Sequence, residues 1–524
     1  MPQAVAYATL AGMPPQTGLY AALLPSIVGV LWGSSSLLAV GPVALTSLLV
    51  AGSLYPLAAP GSAEWVALAI WLSLYAGLMQ FLLGAFRLGQ IASLVSQPVV
   101  TGYINGAAIL IILSQLPALL GVAALDQLPA ALAAPSAGML AGPAALILLL
   151  AFKRYLPRLP GILLVTILAI AVSWQFDFAA AGIPVVGELA SGLPPLSALP
   201  ALSFDLHREL LPAALIIALI SFTEAMSSCR TLARKLRQPW DENQELIGQG
   251  LAKVTSAFSG SFPVSGSFSR SALNLYAGAL TGWSTLFTAL CVLLSLLFLT
   301  DLLYFLPRPA LAAMIMVPVF NLLSLGSMRR LFTLSRDDGL VAAVTFGVTL
   351  LATPRLHWGV FTGVGLAMAS FLYRRSHPRI IEVSLHADGT LRDRVRFGLD
   401  ALAPDLLPVR IDSALNFLTA GSLERFIGER CRGAPRIRRV LLCAGSINDI
   451  DASGVEALES ILATLREEGV EFHLSAVKKQ VWEVLERAGF LALVGQQRIF
   501  ATDREAIQAL RSGVPAEAAA PDTP

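Results

Sequence analysis

The chain has 524 residues, of which 56% are hydrophobic and only 13% charged, with a mean hydropathy of +0.71 and a formal net charge of +2 at pH 7. Soluble globular domains carry roughly 25% charged residues, so a wholly aqueous protein is excluded and a lipid bilayer is the expected solvent for most of the chain. The small net charge says little about partners, and no Lys/Arg run is long enough to suggest a nucleic-acid tract, so no nucleic-acid partner is expected.

The charge is unevenly spread. From Met1 to Phe86 the only Asp, Glu, Lys or Arg is Glu64, whereas the stretch from Ser376 onward is densely charged. That asymmetry marks two domains in different solvents. A transmembrane domain is expected over 1–375, a soluble domain over 376–513 and a Pro/Ala-rich disordered tail over 514–524. The opening MPQAVAYATLAGMPP has neither the basic region nor the cleavage site of a signal peptide, so no cleavage is expected.

A bilayer-spanning helix needs roughly 20 apolar residues. Stretches approaching that length run over 64–86, 98–120, 137–152, 161–176 and 210–228, then over 283–300, 309–325, 339–352 and 358–373. Cations between them fall at Arg87, at Lys153, Arg154 and Arg158, at Arg230, Arg234, Lys235 and Arg237, at Arg329, Arg330 and Arg336, and at Arg374 and Arg375. Those loops are expected to face the cytoplasm. The intervening loops hold Glu64, Asp126, Asp177, Glu188, Asp205 and Glu209 with few cations. The alternation predicts a multi-pass cell-membrane protein with its C-terminal domain in the cytoplasm.

Two segments are interrupted by Gly and Pro: Val40-Gly41-Pro42-Val43-Ala44-Leu45-Thr46 and Phe262 to Ser271, which reads FPVSGSFSRS. They lie in different halves of the membrane part, the layout expected of an inverted repeat whose broken helices meet at the midplane. A helix restarted after such a break presents free N–H groups and roughly half a positive charge. Two facing one another make an anion site, and Arg270 adds a full charge. Ordinary extramembrane loops are the competing reading; the repetition of the pattern and the lone Arg270 between apolar flanks weigh against it. Glu224, inside 210–228, is the other candidate, because a carboxylate within a span costs roughly 2.5–3.5 kcal/mol and usually faces a cavity. Its plainer alternative is a pair with Arg230 or Arg234. Ser228, at i+4, shares its face.

Chemistry of other kinds finds little support. The four cysteines have no ligand-like spacing, the five histidines form no ligand pair, and neither a Gly-x-Ser-x-Gly elbow nor a Walker loop occurs. No enzyme activity, metal or cofactor is expected.

From about His377 the pattern becomes short strands and amphipathic helices. Residues 439–444 and 470–477 read as strands. Between them Ser453-Gly454-Val455-Glu456 reads as a capping box, with Val455, Leu458, Leu462 and Leu465 on one helical face. Strands alternating with helices imply an α/β sheet.

Pro2-Gln3-Ala4-Val5-Ala6-Tyr7-Ala8, Leu10 to Pro15, Gly18-Leu19-Tyr20-Ala21 and Gly41-Pro42-Val43-Ala44 resemble the opening signature of the sulfate permease (SulP) family of anion transporters. Asn243 to Leu251 followed by Pro263 to Asn274 resembles its second signature. The resemblance covers essentially the whole chain. It implies an all-α polytopic membrane domain of two inverted repeats of seven segments, divided into core and gate domains, with helices 3 and 10 broken. It also implies substrate contacts at Gln3 and Tyr7 in the first segment, Val43 and Ala44 in the third, and Ser267, Phe268, Ser269 and Arg270 in the tenth. Glu224, with Ser228, matches the position linked to cation coupling in the eighth. The family carries a cytoplasmic stretch and half a helix before the Pro-Gln pair, whereas this sequence begins at the pair. An internal start, a truncation and a misassigned start are the alternatives.

Asn448 to Gly454 resembles the STAS loop of anti-sigma-factor antagonists and of SulP C-termini, with Asp451, Ser453 and Gly454 as the regulatory positions. The residue phosphorylated in the antagonists is replaced here by Ala452, so phosphorylation is not expected at that place. A scaffold or dimer-proximal domain with Ser453 as N-cap is expected instead.

These readings converge on a secondary carrier of small inorganic or carboxylate anions (sulfate, bicarbonate, chloride or a dicarboxylate), embedded in the bilayer and coupled to a proton, a sodium ion or an exchanged anion; the family resemblance implies a homodimer. The alternatives are sodium-coupled bicarbonate uptake, a permease of the same architecture with another cargo, and a non-transporting membrane scaffold or sensor.

Overall fold

The computed structural model describes residues 1–90, 95–122, 137–156, 159–190, 192–196 and 198–512. They belong to two compact units, Met1–Ala367 and Met368–Pro524. The expected tail over 514–524, Asp126 and Arg158 lie outside the described residues.

The first unit begins with α1 (Pro2–Leu10), α2 (Gln16–Ala21) and α3 (Leu24–Trp32), then a short strand β1 (Ala39–Gly41) and α4 (Ala44–Leu54). Next come α5 (Ala63–Ala85), α6 (Gln97–Leu119), α7 (Ala137–Tyr155), α8 (Gly161–Gln175), α9 (Phe204–Leu236) and α10 (Glu242–Phe258). A second short strand, β2 (Ser265–Ser267), leads into α11 (Phe268–Tyr276) and α12 (Trp283–Phe298). The run closes with α13 (Arg308–Phe320), α14 (Leu325–Leu334), α15 (Arg336–Leu351) and α16 (His357–Ser376), whose last residues, from Met368, belong to the second unit. Among the described residues four helical stretches, including α5, α6 and α9, are long and apolar enough to cross a membrane. The expectation of an all-α membrane domain needs one amendment, the strands β1 and β2. Backbone that leaves the helix at membrane depth must find partners inside the protein, and here it finds them in a two-stranded ladder.

Helix α9 also outruns the expected span over 210–228. It continues unbroken to Leu236, so Arg230, Arg234 and Lys235 occupy its last turns rather than a loop. Cations there complement the negative end of the helix dipole, and the helix stops where Arg237 adopts φ 54°. Close approach of α5 and α10 depends on small residues, as is usual between membrane helices. A Cβ on Gly77 would fall 2.8 Å from the Gly250 carbonyl oxygen, and one on Gly250 would fall 2.5 Å from the Phe81 nitrogen.

The second unit is built on β3 (Ile380–Leu385), β4 (Leu391–Asp393), β5 (Leu406–Ile411), β6 (Arg439–Cys443), β7 (Glu471–Ser475) and β8 (Ile499–Phe500), in the order β4-β3-β5-β6-β7-β8. The β4, β3 and β5 neighbours are antiparallel, and β5 through β8 are parallel. Both expected strands are present. Alternation along β6 sends Val440 and Leu442 into one apolar layer and Leu441 and Cys443 into the other. The first layer receives α17 (Ala420–Gly433), α18 (Ala452–Glu467), α19 (Lys479–Arg487) and α20 (Phe490–Val494). The second receives α21 (Asp503–Ser512) through Ala506, Ile507 and Leu510.

Candidate functional site

The two interrupted segments meet. β1 pairs antiparallel with β2 in the register Ala39 to Ser267, Val40 to Gly266 and Gly41 to Ser265. Gly266 allows this approach: a Cβ there would lie 2.9 Å from the Ala225 Cβ and from Leu38. Each strand leads directly into a helix. Val43, in an extended conformation, is the N-cap of α4, and Ser267 caps α11 by accepting the Arg270 N–H at 3.4 Å. The strands are tied further by Ser271, whose hydroxyl donates to the Ser267 carbonyl at 2.7 Å and accepts the Ala39 N–H at 2.9 Å. Two helix N-termini and their partial positive charges are thereby brought beside one ladder.

Arg270 reaches back across that ladder, its Nη2 donating to the Pro42 carbonyl at 3.0 Å. Gly41 is what makes room, since a Cβ there would stand 2.9 Å from Nη1. The Arg270 Nε is buried and has no hydrogen-bond partner. The guanidinium opens onto a cavity of about 250 Å³, lined also by Gln3 and Tyr7 of α1, Ser26, Val40, Pro42, Asn274, Thr285 and Thr288. Ser26 is already committed to the Val40 carbonyl at 2.7 Å, whereas the Thr285 hydroxyl is buried and unpartnered.

Of the residues expected to contact substrate, the structure brings Gln3, Tyr7 and Arg270 to one cavity. Val43 and Ala44 are buried at the start of α4, and Ser267 and Ser269 place their hydroxyls 3.4 Å apart in the first turn of α11, all four outside the cavity lining. They shape the backbone that surrounds it. Phe268 is 54% exposed and also lies outside the lining, because the chain leaves the buried strand for α11 at this residue.

Glu224 projects from α9 with a buried Oε2 that has no partner. It is not held by Arg230, which pairs with Glu242 at 3.7 Å. Instead its electrostatic neighbours are Lys253, which is fully buried, and Arg270, which is partly buried, together with the phenols of Tyr7 and Tyr103. Ser228 is one turn on, but its hydroxyl donates to the Glu224 main-chain carbonyl at 3.3 Å rather than to the carboxylate.

Sequence reasoning missed Lys253. Its side chain is fully buried in α10 and its ammonium donates to Gln80 Oε1 at 2.9 Å. The Gln80 amide donates in turn to the Ala218 carbonyl at 2.6 Å and to the Ser221 hydroxyl at 3.1 Å. The rule that an ionisable group inside an apolar span is functional would have flagged Lys253 had residues 242–258 been read as a span; their polar first half hid them. Glu245 was missed for the same reason. It is 1% exposed and accepts the N–H groups of Ser34 and Ser35, each at 3.0 Å, and the Gln249 amide at 3.0 Å.

In the second unit the loop before α18 is structural. Asp451, not Ser453, is the N-cap: its Oδ1 accepts the Gly454 N–H at 2.9 Å, and its Oδ2 accepts the Phe417 N–H at 3.0 Å. A carboxylate has two acceptor oxygens, so it can cap the helix and hold a neighbouring loop together, which one hydroxyl cannot. Gly454 packs under that loop, where a Cβ would fall 2.3 Å from the Leu415 carbonyl.

Comparison with known proteins agrees with this geometry. The Sulfate permease family pattern matches residues 1–345 and the STAS domain pattern matches 402–506. The chain is 31% identical to "Sulfate transporter 4.1, chloroplastic" of Arabidopsis thaliana, covering 97% of this chain and 78% of that protein. It is also 31% identical to "Probable sulfate transporter MT1781" of Mycobacterium tuberculosis (strain CDC 1551 / Oshkosh), covering 98% and 93%. The fold matches the murine Solute Carrier 26 family member A9 anion transporter in the inward-facing state with a TM-score of 0.88 at 21% identity, over 98% of this chain and 89% of that one. The family pattern matched over 1–345 and the relatives 31% identical across nearly the whole chain place this chain in the sulfate permease family, with a STAS domain following.

Proposed function

We propose that the protein is a secondary active carrier of small anions that works by alternating access, binding its cargo in the cavity between Arg270, Gln3 and Tyr7. The observation that carries this reading is the Arg270 guanidinium held on the Gly41–Pro42 backbone, beside the N-termini of α4 and α11. Backbone N–H groups, two helix dipoles and one fixed cation suit an oxyanion. Sulfate is the favoured cargo, supported by the relatives named as sulfate transporters; bicarbonate, chloride and dicarboxylates share the chemistry.

Electrostatics demands coupling. Each charge moved through 100 mV costs about 2.3 kcal/mol, so uptake of a dianion into a negative interior costs about 4.6 kcal/mol, a factor above roughly 10³ in concentration. Glu224 is the group we assign to the coupling cation, a proton in the first instance, with sodium held by Glu224 and Ser228 as the other outcome. The protein works as a homodimer in the cell membrane with its STAS domain in the cytoplasm.

The test is uptake of radiolabelled sulfate, bicarbonate, chloride and fumarate by reconstituted protein, with and without inward proton or sodium gradients. Arg270→Ala is expected to abolish uptake, and Glu224→Gln to uncouple it from the gradient. Well-folded protein that moves none of the four anions would overturn the carrier reading in favour of a scaffold.

A further inference from the structure

Resting on the carrier reading, we propose that Thr285 is a specificity-determining residue of the anion cavity: its hydroxyl and the Arg270 Nε–H are two separate donors left over for the cargo, and together they select an oxyanion, which offers each its own oxygen, over a halide.

A threonine inside a helix ordinarily turns its hydroxyl back to a carbonyl three or four residues earlier. Thr101, Thr166 and Thr345 do so here, donating to the Gln97, Ile162 and Val341 carbonyls at 2.8, 2.7 and 2.7 Å. Thr285 is the third residue of α12, and both carbonyls within its reach are already taken. The Thr281 carbonyl accepts the Ser284 N–H at 3.4 Å and the Ser284 hydroxyl at 3.3 Å, and the Gly282 carbonyl accepts the N–H groups of Thr285 at 2.9 Å and Leu286 at 3.3 Å. The Thr285 hydroxyl is therefore left over: the residue is 4% exposed and its Oγ1 has no partner among the described residues. Stranding a buried hydroxyl is unfavourable, and Val would fill the same space without one. Packing alone leaves the threonine unexplained.

Its position in the fold supplies a reason. Thr285, Thr288 and Val292 recur at i, i+3 and i+7 along α12, and all three line the cavity that also receives Arg270. Thr288 commits its hydroxyl to the Ser284 carbonyl at 2.8 Å, so Thr285 is the one of the two with a proton to give. Arg270 enters from a different helix, α11. Its Nη2 is spent on the Pro42 carbonyl, whereas its Nε–H is buried and unpartnered. Thr46 is another buried threonine without a partner, but it does not line this cavity.

Two unspent donors on two helices ask for more than one acceptor atom. Sulfate, bicarbonate and a carboxylate each carry several oxygens, so one oxygen meets the Arg270 Nε–H while another meets the Thr285 hydroxyl. A chloride has a single centre and meets both only where the donors converge. Hydrogen bonds to an ionised acceptor are roughly twice as strong as neutral ones, which makes the second donor matter for affinity. Because Thr285 is uncharged, replacing it leaves the charge of the site as it was, and the effect falls on the shape of the cargo rather than on its valence.

The experiment compares full-length wild type with Thr285→Val, Thr285→Ala, Thr285→Ser and Thr345→Val. The readouts are KM for sulfate, bicarbonate and chloride in proteoliposomes, under whichever gradient drives the wild type, and the melting temperature in detergent with and without sulfate. Thr285→Val is expected to raise KM for sulfate and bicarbonate roughly tenfold or more, with KM for chloride changing by less than about threefold. Its melting temperature without anion should equal or exceed that of the wild type, since a stranded hydroxyl has been removed, while the rise produced by sulfate shrinks. Thr285→Ala carries the same KM expectation and covers a failure of the Val variant to fold. Thr285→Ser keeps a hydroxyl and should stay close to wild type. Thr345→Val removes an equally buried hydroxyl that is already bonded to a carbonyl and should leave every KM unchanged. An unchanged sulfate KM in the Val and Ala variants overturns the proposal, as does an equal rise for chloride, or a loss of all fluxes together with a lower anion-free melting temperature in both variants, the signature of a packing role. A wild type that moves chloride alone overturns this inference and leaves the carrier reading standing. A wild type that neither moves nor is stabilised by any of these anions removes the carrier reading, and this inference with it.

Discussion

Gly41→Ala is the most informative single change in the proposed anion site. A Cβ at Gly41 would lie 2.9 Å from Arg270 Nη1, 3.1 Å from Nη2 and 3.4 Å from Cζ. The guanidinium must therefore move by a few tenths of an ångström, away from the Pro42 carbonyl it now meets at 3.0 Å. Weakening one charge-assisted hydrogen bond and displacing the charge from the helix N-termini is worth about 1–2 kcal/mol, or roughly 5- to 30-fold in anion affinity. The backbone adds a separate effect, because φ at Gly41 is +152°, and a side chain at such an angle costs about 1–3 kcal/mol. We expect a 5- to 30-fold rise in KM in reconstituted vesicles and a lower melting temperature in detergent. Gly347→Ala is the control: it lies within α15 with nothing inside 4 Å of its virtual Cβ. It should leave KM unchanged and be neutral or stabilising by about 0.5–1 kcal/mol. A Gly41→Ala protein with wild-type KM and melting temperature would refute the reasoning, as would an equal effect from Gly347→Ala.

Three further outcomes are expected. Glu245→Ala strands the Ser34 and Ser35 N–H groups and the Gln249 amide, so detergent melts should show a loss of about 1–3 kcal/mol, with Glu245→Gln recovering part of it. Gly454→Ala forces a methyl against the Leu415 carbonyl, and denaturant melts of the full chain should show the STAS unit destabilised by about 1–3 kcal/mol; an unchanged STAS transition would show that the loop yields freely. Burial pushes the His473 imidazole below its ordinary range, so the unfolded chain takes up the proton first. Its stabilising effect is complete above the ordinary value of about 6.5 and declines as pH falls below it, by up to about 1.4 kcal/mol per pH unit; His473→Gln should flatten the STAS melting profile between pH 7.5 and 5, and an equally steep profile in that variant would count against the assignment.

What was legible in the sequence came from local signals. Mean hydropathy and the charge asymmetry gave the membrane and the soluble domain, because each solvent selects composition directly. Two Gly/Pro interruptions in apolar surroundings announced paired breaks, since irregular backbone at membrane depth needs a reason. The strands Arg439–Cys443 and Glu471–Ser475 were visible as short apolar runs between turn signals.

Other features depended on contacts with no local trace. Nothing in the first half of the chain says that Ala39–Gly41 will pair with Ser265–Ser267, or that Gln80 will receive an ammonium from Lys253, 173 positions away. The cap of α18 was misread because Ser453 satisfies the short motif, while the folded loop at Phe417 supplies a second donor that only a carboxylate at Asp451 can also accept. Hydropathy and turn chemistry act on each residue and its neighbours, so the sequence alone determined the solvent, the breaks and the family. Which polar side chains meet is decided by packing between distant helices, and only the tertiary structure set Lys253 on Gln80 and brought Arg270 to one cavity with Gln3 and Tyr7.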